Sequence, residues 1–253
     1  MRSPAEQYDW ELAHVAVRRG RGEDLSFYSA LAARTGAPIL ELACGTGRLT
    51  APLGAVGLDN DPDMLAAARR RGVCRLVRAD MRRFALAQRF ALVAIPYNSL
   101  QLLLGAADAV ACLRCAASHL APGGVLALEV TDFQQGARRT SVDLELLARA
   151  DGVSLHGALV HDVGRRVTTY HRRFEEGGEV RVDHVRLRCL DQAELEKLLS
   201  RAGLRPAEVT QEGARLFCVA TLRGSGEDHQ PASASADSRR ALALAARERA
   251  RLT

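Results

Sequence analysis

The sequence predicts an α/β fold: a doubly wound, mostly parallel seven-stranded sheet with N-terminal helices and an inserted antiparallel β-hairpin lid. Three observations predict it. Short apolar runs alternate with helical stretches between Ile39 and Val130, the pattern of strands joined by crossover helices. The first run enters a glycine turn and the next two end on acids, Asp59 and Asp80. Beyond them, residues 153 to 189 change to strict alternation, the period of an antiparallel ribbon.

Taken in order, residues 5 to 35 carry Tyr8-Asp9-Trp10 and a periodic stretch through Leu25, Phe27, Tyr28 and Leu31, which reads as two helices. Ile39 to Leu42 is a strand running into Gly45 and Gly47, followed by a helix over Arg48 to Leu53. Ala55 to Asp59 is a second strand; Asp61 can cap the next helix and Pro62 suits its first turn. Cys74 to Arg78 and Phe90 to Ile95 are the third and fourth strands. Asn98 to Leu120 reads as helix-rich, and Pro122-Gly123-Gly124 as a turn that launches a fifth strand, Val125 to Val130. Val167 to Phe174 and Val180 to Leu187, around Glu175-Glu-Gly-Gly178, form the hairpin. Asp191 to Glu194 opens a helix with capping-box spacing and Gly203 closes it. Pro206 to Gln211 and Leu216 to Leu222 complete the sheet. Past Arg223 a Gly/Ser/Pro/Ala-rich stretch reads as a linker, and 237 to 252 as a short Ala/Arg helix. The expected organisation is an N-terminal cap (1 to 36), a main domain (37 to 223) with a lid insertion at about 153 to 190, and a flexible tail (224 to 253).

The turn after the first strand carries the chemistry. Glycines at 45 and 47 let backbone approach a ligand closely, because they lack Cβ and tolerate positive φ. Asp59 follows Gly45 by fourteen residues, the interval of one βαβ unit, and a carboxylate there can accept both hydroxyls of a ribose. A dinucleotide site fits less well. Its G-x-G-x-x-G pattern would need glycine at Thr50, and Glu41 would push negative charge toward a pyrophosphate.

Ile39 to Arg48, Val56 to Leu65 and Val77 to Met81 occur in the order and spacing by which the chain resembles the class I S-adenosylmethionine-dependent methyltransferases, small-molecule branch; the resemblance spans about residues 5 to 222. It implies a Rossmann-like fold and S-adenosyl-L-methionine as cofactor. It implies that Glu41 organises the loop and the methionine amino group, and that Ala43, Gly45, Thr46, Gly47 and Arg48 border the methionyl portion. It also implies that Asp59 holds the ribose, that Asn60 and Met64 border the adenine, and that Asp80 with the Met81 backbone reads the adenine edge. It further implies that Pro96, at the exit of the fourth strand, lies beside the cofactor. Ala43 replaces a glycine common in the family, a change expected to narrow the turn only slightly.

The chain has 253 residues, 47% of them hydrophobic, enough for one large core. No apolar run suffices to cross a bilayer and the first residues lack a signal-peptide core, so a soluble cytoplasmic protein is expected. Of the six cysteines, Cys112 and Cys115 have CxxC spacing but no partner pair, and read as helix core rather than a metal or redox site. The net charge of +5 is not interleaved with stacking aromatics, which make up 4% of residues, so nucleic acid is disfavoured as partner. A homodimer stays open.

Methyl transfer is an in-line displacement. A neutral amine attacks unaided, whereas a hydroxyl benefits from a base. The candidate catalytic residues are Asn98, at the fourth-strand exit, and Tyr8, in the N-terminal helix; Asp132, His156, His161, His171 and His184 are further candidate bases, and His119 reads as an imidazolium capping a helix end. The expected activity is methylation of an N or O atom of a sugar or specialised metabolite. The alternatives are an RNA or protein methyltransferase, or a noncatalytic adenosyl-ligand binding protein.

Overall fold

The computed structural model describes residues 1–16, 24–133 and 143–224. The tail beyond 224, including the Ala/Arg segment 237 to 252, lies outside the described residues. The elements run α1 (Pro4–Glu11), a π-helical turn (Leu12–Ala16), α2 (Asp24–Thr35), β1 (Ile39–Leu42), α3 (Thr50–Leu53), β2 (Val56–Asp59), α4 (Pro62–Arg70), β3 (Leu76–Arg78) and β4 (Phe90–Ile95). A 3₁₀ turn (Ser99–Leu102), α5 (Ala106–Ser118), β5 (Leu120–Thr131), β6 (Glu145–Ala150), β7 (Val153–Asp162), β8 (Val167–Glu176), β9 (Glu179–Arg188), α6 (Gln192–Arg201), β10 (Leu204–Glu212) and β11 (Arg215–Leu222) follow.

The main sheet has seven strands in the order β10-β11-β5-β4-β1-β2-β3. β1 to β5 run parallel, and β11 pairs antiparallel with both β5 and β10. The order reverses direction at β1, so the crevice at the carboxyl ends of β1 and β4 is where an open α/β sheet binds ligands. β1 and β2 are buried along their whole length, as a sheet covered on both faces requires. Leu40, Leu42, Leu58, Val93 and Ile95 pack to one side against α5 and α6, while Ile39, Leu92 and Ala94 pack to the other with Tyr28 and Leu31 of α2. The expected capping at Asp61 and Asp191 forms: Asp61 accepts the amides of Asp63 and Met64, and Asp191 accepts that of Glu194.

Two local expectations change. Pro122-Gly123-Gly124 falls inside the bounds of β5 as a bulge, where pairing with β4 skips from Leu120 to Val125. The hairpin at 167 to 187 forms, turning at Gly177 and Gly178 with φ of 59° and 83°, but it is half of a four-stranded antiparallel sheet, β6-β7-β8-β9. β6 reads Glu-Leu-Leu-Ala-Arg-Ala, a helix-favouring composition; its ladder to β7 overrides that preference and adds a strand N-terminal to residue 153.

The lid has its own small core. Trp10 and Val15 from the N-terminal segment pack with Ala148, Val153, Leu155 and Phe174. Arg181 donates to Gln7 at 3.2 Å, and Arg172 pairs with Glu11 at 2.9 Å, fastening α1 to the same sheet. On its other side α1 is tied to the body through Asp9, which accepts from Thr46 at 2.6 Å and from Arg71 at 2.7 Å. α1 therefore bridges the lid and the glycine loop.

Candidate active site

The loop after β1 is built from left-handed residues: Ala43, Gly45 and Gly47 have φ of 54°, 53° and 77°. Alanine at 43 is thus more than a slight narrowing of the turn, because an L side chain in this region is strained. Gly47 is required twice over, since a Cβ there would stand 2.8 Å from Val73 and 3.1 Å from Ala68 of α4. The Gly45 amide donates to Asp59 Oδ2 at 2.8 Å and the Asp61 amide to Asp59 Oδ1 at 3.0 Å. Asp59, 8% exposed, thereby fixes the loop from the tip of β2 and keeps its remaining lone pairs for the cleft.

A cleft of about 770 Å³ opens at these strand tips. Ala43, Gly45, Asp59, Asn60, Met64, Asp80 and Met81 at the strand tips line it, together with Tyr8, Tyr97 and Asn98. The lid roofs it, where Leu159, Tyr170 and Val185 lie side by side across β7, β8 and β9. A recess of about 20 Å³ shares Tyr8, Ala43, Tyr97 and Ser99 with the cleft and is bordered by Glu41, Thr46, Arg48 and Pro96, room for one small polar group.

Glu41 is 3% exposed and accepts from the Thr50 hydroxyl. Burial pushes its carboxyl up to about 8, so an approaching cation would restore its charge. Arg48 pairs with the fully buried Asp24 at 2.8 Å and lies over the Tyr97 ring, 5.9 Å from its centre. Asp80 is engaged by Arg82, which holds its carboxyl down to about 2. This acidic, partly apolar pocket suits a cationic adenosyl sulfonium.

Asn98 and Tyr8 both line the cleft. Asn98 is buried at φ 63° and its Oδ1 accepts from Thr131 Oγ1 at 2.8 Å. Burial and the neighbouring Tyr97 hold the Tyr8 phenol far above its usual range, so it stays protonated. His156, His161, His171, His184 and Asp132 are not among the residues that line the cleft. His119 closes α5; its Nδ1 bonds the Cys115 carbonyl at 2.7 Å and its Nε2 accepts from the Leu86 amide at 3.0 Å, so both ring nitrogens are engaged away from the cleft. Cys112 is buried in the core and Cys115 accepts the Phe84 amide at 3.3 Å. Sequence reasoning missed Asp9, Glu11, Asp24 and Arg172; apart from the cross-strand Asp183 of Arg172, their partners lie between 24 and 161 residues away and leave no local pattern.

A methyltransferase-domain family model matches residues 39–124. The dTDP-3-amino-3,6-dideoxy-alpha-D-glucopyranose N,N-dimethyltransferase of Streptomyces fradiae is 37% identical over 141 residues, which span 50% of this chain and 55% of that protein. The dTDP-3-amino-3,4,6-trideoxy-alpha-D-glucopyranose N,N-dimethyltransferase of Streptomyces venezuelae is 31% identical over 179 residues, 66% of this chain and 75% of that protein. Among solved structures, an amino pentose methyltransferase from Micromonospora echinaspora with SAM bound superposes with a TM-score of 0.67 at 29% identity, covering 82% of this chain and 95% of its own.

Proposed function

The chain belongs to the class I S-adenosylmethionine-dependent methyltransferases, and from that premise we propose that it transfers methyl groups to the amino nitrogen of a nucleotide-linked amino sugar. When bound, S-adenosylmethionine supplies a methyl group on a positively charged sulfur. The protein supplies alignment and exclusion of water. Asp59 and the Gly45 amide it holds position the adenosyl end; Glu41 accepts the ammonium end; Tyr8, Tyr97 and Asn98 line the cleft where the methyl group and its acceptor meet. The lid row Leu159, Tyr170 and Val185 offers an apolar ceiling suited to a deoxygenated sugar.

The observation that carries nitrogen over oxygen is the N-methylation named for both Streptomyces relatives, and the state of Tyr8 and Asn98 agrees with it. A protonated phenol and an amide whose oxygen is already bonded can orient an acceptor but cannot deprotonate a hydroxyl. An amine needs no such help.

Incubation with S-adenosylmethionine and a panel of dTDP-linked amino sugars, read by mass spectrometry, tests it. The expected products carry one and then two added methyl groups on nitrogen. Methylation of the hydroxyl counterparts at equal rate, or of RNA or protein in place of either, overturns it.

A further inference from the structure

We infer that Glu11 is the residue that binds the acceptor amine, and that Arg172 of the lid holds it in position. The inference rests on the amine-acceptor reading above and sharpens it to one side chain. Glu11 is the last residue of α1, directly before the π-helical turn Leu12–Ala16. π-Helical segments are rare and concentrate at functional sites. Here Glu11, Leu12 and Val15 all line the cleft on the side roofed by the lid.

The other carboxylates along the cleft already have partners or a role on the cofactor side. Asp59 takes two loop amides, Asp61 caps α4, and Asp80 and Asp108 both pair with Arg82. Glu11 is the carboxylate that the N-terminal segment and lid contribute among the described lining residues. Its side chain is only 12% exposed. Arg172 Nη1 donates to Glu11 Oε2 at 2.9 Å while its Nε and Nη2 fork onto Asp183 at 2.7 and 2.9 Å. Glu11 Oε1 takes no hydrogen bond among the described residues and is not sealed from solvent.

This arrangement recognises a particular chemistry. Two carboxylates share one guanidinium, so the Glu11–Arg172–Asp183 group has negative charge in excess, which favours over a hydroxyl an N–H-bearing nitrogen, neutral when it attacks and positive once the methyl group has transferred. The fork from Asp183 fixes Arg172, and Arg172 fixes Glu11 Oε2, leaving Oε1 as the acceptor atom for the substrate. A primary and a secondary amine both carry an N–H, so the same contact survives the first methylation and serves the second.

Calorimetry on the full chain loaded with S-adenosylhomocysteine tests the assignment, using a dTDP-linked 3-amino sugar and its 3-hydroxy counterpart as probes. Loss of a charge-assisted hydrogen bond corresponds to about a tenfold effect or more. The unmodified protein is expected to prefer the amino sugar about tenfold, and Glu11→Gln to reduce that preference to within about threefold, with S-adenosylhomocysteine affinity unchanged. Glu11→Asp should recover part of the preference, and KM for the amino sugar should rise more than kcat falls. Retention of the preference by Glu11→Gln, or a parallel loss of cofactor affinity that marks a merely structural role, overturns the assignment. An unmodified protein that binds S-adenosylhomocysteine but prefers the hydroxy sugar overturns the amine reading itself, and the assignment with it.

Discussion

Three glycines separate the two ways in which an added methyl group can damage the cofactor loop. Gly54 has φ 58° with nothing within 4 Å of a Cβ, so Gly54→Ala adds backbone strain alone, about 1–2 kcal/mol. Gly57, in β2, has ordinary φ, but its Cβ would meet Cys44 Sγ at 2.8 Å, Leu76 Cδ2 at 2.9 Å and Thr50 Cγ2 at 3.1 Å; Gly57→Ala adds overpacking alone, about 1–3 kcal/mol. Gly47 combines φ 77° with Val73 at 2.8 Å and Ala68 at 3.1 Å, so Gly47→Ala should cost about 2–5 kcal/mol. Urea unfolding of the four proteins, with m-values compared to confirm a common unfolded state, measures the series. The mirror case is Ala43→Gly, which removes strain at φ 54° and should leave stability equal or higher. If Gly47→Ala proves no less stable than Gly54→Ala, α4 does not press on the loop as described and the reasoning fails.

Asp59→Ala removes the acceptor for the Gly45 and Asp61 amides as well as the ribose ligand, and should weaken S-adenosylhomocysteine binding at least about tenfold by calorimetry. Glu41 binds its proton more tightly folded than unfolded, so in the cofactor-free protein it lowers stability progressively from about pH 4.5 to about pH 8 and adds no further slope above that. Glu41→Gln should remove that slope in denaturation curves, and cofactor affinity should rise toward pH 8 in the unmodified protein but not in the variant. Trp10→Ala empties the small core between α1 and the lid; thermal unfolding should show a loss of about 3–5 kcal/mol, and acceptor binding should weaken more than cofactor binding.

The half of the site made by neighbours in sequence was legible in advance. A strand that ends in a glycine turn and a second that ends in Asp59 are local patterns, and the parallel pairing of β1 with β2 brings them together. What the pattern could not reveal was conformation and long-range pairing. Alanine at 43 gives no sign that its φ is 54°, nor Tyr97 and Asn98 that theirs are 51° and 63°. The lid was visible where Gly177 and Gly178 announce a turn, and invisible in β6, whose residues favour a helix until β7 lies beside them. The acceptor half depends on contacts such as Arg172 to Glu11, 161 residues apart, which alternation can place on a sheet face but cannot pair.

The lid's apolar core, Trp10, Val15, Leu155 and Phe174, is separate from the leucines and valines of the great sheet, and Arg188 ties β9 to the body at Gln101 and Leu104, so the ceiling residues lie apart from both attachments. Exchange of Leu159, Tyr170 or Val185 alters a wall that bears little of the fold's weight. A chimera that imports β6 to β9 together with its own α1 from a relative should fold and inherit the donor's choice of sugar, whereas one that imports the ribbon alone would leave Trp10 facing a foreign surface.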